Sequence, residues 1–184
     1  MTDSAIASWF WTRHRGRRPD AEELIEFQRR FVALLSEELA RTPERFAPIA
    51  GAAALIPALQ SAGWHAAIAT GGWRASAMLK LQAGGLEAEN LPMACANDAE
   101  SREDIVRLAW RGAERRAGTS FERVVSVGDA AWDVRTARSL GLPFVGIGTG
   151  KVAARLRAEG ATTILPHFDD GSAVLAALSS ASIP

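Results

Sequence analysis

The sequence contains no tyrosine, a single cysteine and only three histidines among its 184 residues. Because Cys95 has no partner for an internal disulfide bond, we expect the protein to reside in a reducing compartment, the cytoplasm. The histidines lie in unrelated contexts without the spacing of metal ligands, which argues against a histidine-based metal site; they are His14, His65 and His167. No apolar run approaches the ~20 residues of a membrane-spanning helix. The start also lacks the layout of a secretory signal peptide, so no membrane association is expected.

The chain also lacks net charge. Lysine plus arginine and aspartate plus glutamate both total 21, which gives a formal charge of zero at neutral pH. A balanced chain offers no basic surface that would favour nucleic acid as a partner. Its length suffices for one domain, or for a core with a small appendage.

What the sequence does contain, from Gly51 onward, is a regular alternation of short apolar runs and helical patterns. The runs predict strands over residues 64–69, 91–95, 124–127, 144–147 and 162–165. Helices are predicted between and around them, over residues 52–62, 73–83, 103–117, 134–140, 152–159 and 172–178. This alternation predicts an α/β fold with a doubly wound, Rossmann-like parallel sheet.

The first fifty residues lie outside this alternation. A helix is predicted from about Asp20 to Ala40, where apolar residues recur every three or four positions. Before it, Ile6, Trp9 and Phe10 suggest one apolar face of a short helix. The arginines that follow fit either a solvated connector or a phosphate contact. We therefore expect a small helical cap over residues 1–48 and an α/β core over residues 49–184.

Two acidic residues follow the valine-rich strand at 124–127. Asp129 and Asp133 come after Gly128, and a helix that Gly141 ends leads to the next strand. Ligands of open α/β sheets bind at the carboxyl ends of the strands, and carboxylates there suit Mg²⁺. An alternative is that Asp133 only stabilises the start of the helix.

A second polar turn follows the strand at 64–69. Thr70 is succeeded by Gly71 and Gly72, and a hydroxyl beside free backbone N–H groups can bind a phosphoryl oxygen. The alternative is that Thr70 caps the helix that begins near Trp73.

The strings GDAAWD at residues 128–133 and AIATGG at residues 67–72 resemble the fourth and second motifs of the haloacid dehalogenase-like hydrolases. The resemblance runs from about Gly51 to Leu178. It implies a phosphatase-type enzyme that acts on a small phosphorylated metabolite with Mg²⁺. It also implies that Asp129 binds the metal with support from Asp133, and that Thr70 orients the phosphoryl group.

The third motif of this family is a lysine or arginine at the start of the helix that precedes the fourth motif. Arg102 is the nearest cation here, although the usual Lys-Pro pair is absent. The alternative for Arg102 is an ion pair with a neighbouring acid on the helix surface. Lys80, within the preceding helix, is a second candidate for the third-motif cation.

The first motif of the family, a strand that ends in Asp-x-Asp and supplies the nucleophile, has no counterpart in these residues. Asp3 has no strand before it, and Asp20 starts a helix. The resemblance therefore implies that this chain is inactive as given, with the nucleophile upstream of Met1. A different hypothesis is a non-enzymatic binding or regulatory protein on the same fold. Dehalogenation of a 2-haloacid is a third hypothesis, and it needs the same aspartate.

The family's first strand lies centrally, between the strands that carry Thr70 and Asp129. Without it, we expect two unpaired strand edges, which invite pairing with another segment or with a second copy in a homodimer. We also expect Thr70 and Asp129 to lie at the same edge of the sheet, because both follow parallel strands.

Overall fold

The computed structural model describes residues 2–184, which form eight α-helices and five β-strands. The helices are α1 (Asp3–Arg15), α2 (Ala21–Arg41), α3 (Ala52–Ser61), α4 (Arg74–Ala83), α5 (Arg102–Ala117), α6 (Ala131–Leu140), α7 (Gly150–Ala158) and α8 (Gly171–Ser180). The strands are β1 (Ile68–Ala69), β2 (Met93–Ala94), β3 (Ser126–Gly128), β4 (Phe144–Ile147) and β5 (Thr163–Leu165). A short 3-10 helix covers Pro43–Phe46. Among residues 2–184, no helix combines the length and apolar composition that crossing a membrane requires.

The five strands form two parallel sheets. β1 pairs with β2, and β3, β4 and β5 pair in that order. Parallel strands joined through helices are the doubly wound α/β architecture that the sequence predicts, and the short sheets are consistent with the loss of a strand. The predicted six-residue strand before Thr70 is shorter than expected, because only Ile68 and Ala69 pair with a neighbour.

The chain divides into two compact units. The first comprises residues 1–48 and 67–112, and the second comprises residues 49–66 and 113–184. The predicted cap over residues 1–48 and core over residues 49–184 are a division by function, whereas the two units are a division by compactness. The cap and core therefore stay a prediction.

The second unit is built around β4, whose four residues are all buried. Such a continuous apolar run is typical of a parallel strand that is covered on both faces. Val145 and Ile147 pack against Val174 and Leu178 of α8. Leu55 and Leu59 of α3 join the same cluster.

An aromatic cluster forms the core of the first unit. Trp73, which is 3% exposed, packs its ring edge-on against Phe27 and Phe31 of α2, with ring centroids 5.8 Å and 5.7 Å apart. Ala7 of α1 is buried in this cluster. The predicted helix at residues 20–40 is confirmed, and Asp20 caps it through a hydrogen bond from the Glu23 N–H.

The predicted apolar face of α1 is largely exposed. Ile6, Trp9 and Phe10 are 49%, 62% and 48% exposed, whereas Ala7 of the same helix is 1% exposed. Hydrogen bonds at the start of α1 fix which side of this helix faces the unit, and they override the apolar pattern. The connector interpretation of the arginines fits better than a phosphate contact, because Arg17 forms an ion pair with Glu23.

Candidate functional site

Thr70 lies immediately after β1, as the sequence predicts. Its N–H donates to the carbonyl of Ala94, which extends the pairing of β1 with β2 by one hydrogen bond. The Thr70 Oγ1 accepts a hydrogen bond from the Gly72 N–H at 3.1 Å, so the hydroxyl closes a tight turn. Because the hydroxyl acts as an acceptor in this turn, its proton stays available to a ligand.

The N–H groups of Trp73 and Arg74, at the start of α4, are occupied by protein atoms. The Trp73 N–H donates to Asp3 Oδ2 at 3.1 Å, and the Arg74 N–H donates to Asn97 Oδ1 at 2.8 Å. A helix start whose donors are taken is a poorer anion site than an open one. An anion at this loop would therefore depend on the Thr70 hydroxyl and the Gly71 N–H.

Asp129 and Asp133 lie in one loop and the helical turn that follows it. Asp129 comes directly after β3 and is exposed, and Asp133 lies in the first turn of α6. The Ala130 N–H donates to Asp133 Oδ2 at 3.2 Å. Asp133 thus makes the helix-starting contact that its alternative interpretation predicts, and its metal role stays a prediction.

Gly128 is required by this packing. A Cβ atom at position 128 would lie 2.6 Å from both Cβ and Oδ2 of Asp133, closer than real side chains approach. The Asp133 carboxyl therefore rests against the bare backbone at the end of β3. A larger residue at position 128 would displace it.

The donor chemistry of this loop fits Mg²⁺. Two carboxylates supply hard oxygen ligands, and protein Mg²⁺ sites usually take one or two carboxylates together with waters and phosphate oxygens. No group of three or more His, Cys, Asp or Glu side chains within residues 2–184 is arranged to hold a metal ion. Zn²⁺ usually takes three or four protein ligands, so Mg²⁺ suits these two acids better.

The two candidate cations lie at different ends of their helices. Arg102 is the first residue of α5, which follows the loop after β2. Lys80 lies in the last turn of α4, far along that helix from the Thr70 loop. Which of the two serves as the third-motif cation stays a prediction. Arg74, which the sequence analysis does not single out, lies at the start of α4 but forms an ion pair with Asp98 at 2.7 Å.

Cys95 is the natural place to look for a substitute nucleophile, and its surroundings argue against that role. The thiol is fully buried and donates to Asp98 Oδ2 at 3.1 Å. Burial and this hydrogen bond raise the pKa of the Cys95 thiol, so it stays protonated at neutral pH. Because the thiolate is the attacking form, Cys95 does not replace the missing aspartate.

Sequence reasoning missed Asp3 and Ser4 as partners of the Thr70 loop. Both contact Trp73 from the start of α1, about seventy positions earlier in the chain. No local pattern reports a contact over that separation. Whether Thr70 lies beside Asp129 stays a prediction.

Comparisons with known proteins agree with this description. The family model of the haloacid dehalogenase-like hydrolases matches residues 13–147. A phosphoglycolate phosphatase from Mesorhizobium japonicum is 25% identical over 147 residues, which cover 80% of this chain. The match spans only 64% of the length of that relative.

Two solved structures share the fold. A hydrolase from Pseudomonas syringae has a TM-score of 0.70 at 20% identity, over 98% of this chain and 80% of its own. CbbY from Rhodobacter sphaeroides, solved in complex with phosphate, has a TM-score of 0.65 at 23% identity, over 97% of this chain and 79% of its own. With a family model that covers most of its length and a matching fold, the chain belongs to the haloacid dehalogenase-like hydrolases.

Proposed function

We propose that this chain carries the phosphoryl-binding and metal-binding parts of a phosphatase-type hydrolase that acts on a small phosphorylated metabolite. The observation that carries the proposal is that Thr70 and Asp129 each stand directly after a parallel strand. Ligands of open α/β sheets bind at such strand ends. The phosphoglycolate phosphatase relative and the phosphate-bound CbbY structure support the same class of ligand.

In this proposal the Thr70 hydroxyl and the Gly71 N–H donate hydrogen bonds to the phosphoryl oxygens. Gly72 keeps the turn compact, and Arg102 offsets negative charge with a guanidinium that suits phosphate geometry. Asp129 and Asp133 hold Mg²⁺. When bound, the metal supplies positive charge that offsets the charge of the phosphoryl group.

The proposal also concerns the nucleophile. A phosphoaspartyl route needs a carboxylate oxygen that attacks phosphorus, and no Asp-x-Asp pattern occurs among the 184 residues. Cys95 stays a neutral thiol and does not take over this role. We therefore infer that the 184 residues alone give no turnover. Adding a nucleophile to these residues should give turnover.

Turnover of a generic phosphate ester with Mg²⁺ tests the proposal in two proteins. One is the chain as given, and the other is the extended chain, in which the 184 residues are preceded by a strand that ends in Asp-x-Asp. We expect background rates from the first and Mg²⁺-dependent turnover from the second. In the extended chain, T70A and D129N should each lower kcat/KM by roughly a hundredfold or more, because each removes a group that stabilises charge in the transition state.

Matched controls separate chemistry from general damage. Thr149 is another threonine just after a strand and is exposed, and Asp169 is an exposed acid in the loop after β5. T149A and D169N should leave the turnover of the extended chain within about twofold, since surface changes of this kind are usually small. Clear turnover by the 184 residues alone would contradict the inferred lack of a nucleophile.

A non-enzymatic binding or regulatory protein is the second candidate, and it needs no Asp-x-Asp pattern. Such a protein would bind phosphate or a phosphorylated ligand yet give no turnover in the extended chain. The expected cytoplasmic location and homodimer stay predictions under either hypothesis.

A further inference from the structure

The start of α1 is tied to the Thr70–Trp73 loop by three hydrogen bonds. The Asp3 N–H donates to the Gly71 carbonyl at 2.7 Å, and Asp3 Oδ2 accepts from the Trp73 N–H at 3.1 Å. The Trp73 indole N–H donates to Ser4 Oγ at 2.9 Å. Asp3 therefore bridges both sides of Gly72, and Ser4 holds the ring of the residue that ends the loop.

This bridge is itself anchored. Ser4 Oγ donates to the carbonyl of Ala96, and Thr2 Oγ1 donates to the carbonyl of Glu100. Thr2 is 2% exposed and also accepts from the Ala5 N–H, which caps α1. Thr2 and Ser4, the chain neighbours of Asp3, thus fix its position in addition to the bonds that Asp3 itself makes to the loop.

The loop needs such support. Two adjacent glycines carry a high entropic cost of ordering. Trp73, which stands at the N-cap position of α4, has no side-chain acceptor for the helix start. The Asp3 carboxylate instead accepts from the Trp73 N–H itself, at a helix start where the helix dipole favours a negative charge.

Asp3 and Thr70 both border the small space beside the Gly72 Cα. A methyl group at Gly72 would stand 3.4 Å from Thr70 Oγ1 and 3.6 Å from Asp3 Oδ2. The carboxylate occupies the Trp73 donor, which an anion would otherwise use at the helix start. The donors left to a phosphoryl group are those of Thr70 and Gly71.

We propose that Asp3 is a positioning residue, which holds Gly71 and Trp73 so that the Thr70 hydroxyl and the Gly71 N–H face a bound phosphoryl group. This inference rests on the proposed phosphoryl-binding role of Thr70. Asp3 acts through the loop and contacts neither substrate nor metal in this role. Two hydrogen bonds of Asp3, from its backbone N–H to the Gly71 carbonyl and from the Trp73 N–H to its carboxylate, set the loop, and its charge contributes less than these bonds.

The test uses the 184-residue chain labelled with ¹⁵N, in the variants D3A, D3N and D20A. Asparagine keeps an oxygen that accepts from the Trp73 N–H, whereas alanine removes it. Asp20 is the matched control, because its carboxylate also accepts a backbone N–H at a helix start, from Glu23 at 2.9 Å. Two quantities are measured: the hydrogen exchange rate of the Trp73 amide and the Kd of inorganic phosphate.

In D3A we expect both the exchange rate and the Kd to rise by roughly 2- to 30-fold, the range that a lost cap implies. D3N should stay within about twofold of the unsubstituted chain or bind phosphate more tightly. D20A should lower the melting temperature by about as much as D3A while leaving both quantities unchanged. If D3A and D20A raised the Trp73 exchange rate and the Kd of phosphate equally, Asp3 would be only a general stabilising residue, and the inference would be overturned.

Three further outcomes would also overturn it. D3N as impaired as D3A would assign the effect to charge, and unchanged Trp73 exchange in D3A would show that Asp3 does not hold the loop. Turnover by the 184 residues that D3N abolishes would make Asp3 a nucleophile instead. If phosphate leaves the ¹⁵N–H signals of residues 70–72 unchanged even in the unsubstituted chain, the proposed function fails. The exchange rate of the Trp73 amide would still decide whether Asp3 positions the loop.

Discussion

Two valines that are neighbours in register show how differently β3 and β4 are built. Val127 of β3 pairs with Val145 of β4, which pairs in turn with Thr163 of β5. Val145 is 1% exposed, but Val127 is 45% exposed. The residue type is the same, so the difference comes from the surroundings, which for Val145 include the packed side chains of α8. β4 has a partner on each edge, and β3 has a partner on one.

The backbone of β3 repeats this contrast. The Ser126 N–H donates to the Pro143 carbonyl on the β4 side. Backbone groups alternate between the two edges of a strand, so those of Val125 and Val127 point to the other side. Within residues 2–184, neither valine has a backbone hydrogen-bond partner there. Among the residues that the structure describes, β3 therefore presents a free edge, of the kind that accepts another strand.

The largest expected effect comes from filling that edge. Each large aliphatic side chain that a new strand buries contributes roughly 1.5–3 kcal/mol, and the whole stability of a domain is only about 5–15 kcal/mol. The extended chain should therefore unfold in urea with a free energy several kcal/mol above that of the 184 residues.

Sedimentation of both proteins accompanies that comparison. The 184 residues should associate more with rising concentration than the extended chain, because a second copy can use the free edge. Equal unfolding free energies, with both proteins monomeric, would refute the account of the edge.

A smaller effect is expected from the two valines themselves. V145A should destabilise the 184-residue chain by about 2 kcal/mol, because it removes buried methyl groups from a closed core. V127A should cost less than about 1 kcal/mol, since much of this side chain already contacts water.

The extended chain sharpens this contrast. There the cost of V127A should rise towards that of V145A, measured by the same urea titrations. An unchanged cost at position 127 would mean that the added strand does not cover β3.

The fold was largely predictable because most of its signals are local. α2 carries its own start signal in Asp20 and a clear apolar period, and Gly141 ends α6 in the left-handed conformation that glycine favours. β4 is a continuous apolar run, and its predicted bounds are those of the structure. The length of β1 was not predictable, because strand length depends on a partner that lies elsewhere in the chain.

The candidate site was predictable only in part. The acidic loop and the threonine turn stand out as motifs, but the bridge from Asp3 to Trp73 joins residues that are distant in sequence. The same bridge accounts for the exposure of the apolar face of α1. Ile6 and Trp9 make a convincing apolar stripe, yet the hydrogen bonds of Thr2, Asp3 and Ser4 turn Ala7 inward.

The most direct test of the central claim is the affinity of inorganic phosphate for the 184-residue chain, measured by calorimetry with and without Mg²⁺. If Thr70 and Asp129 serve one phosphoryl group, Mg²⁺ should tighten phosphate binding by roughly tenfold or more, because a coupling of 1–3 kcal/mol corresponds to about 5- to 150-fold. D129N should abolish the Mg²⁺ effect, and T70A should weaken phosphate binding with Mg²⁺ or without it. Phosphate affinity that does not respond to Mg²⁺, or that responds equally in D129N, would contradict the account.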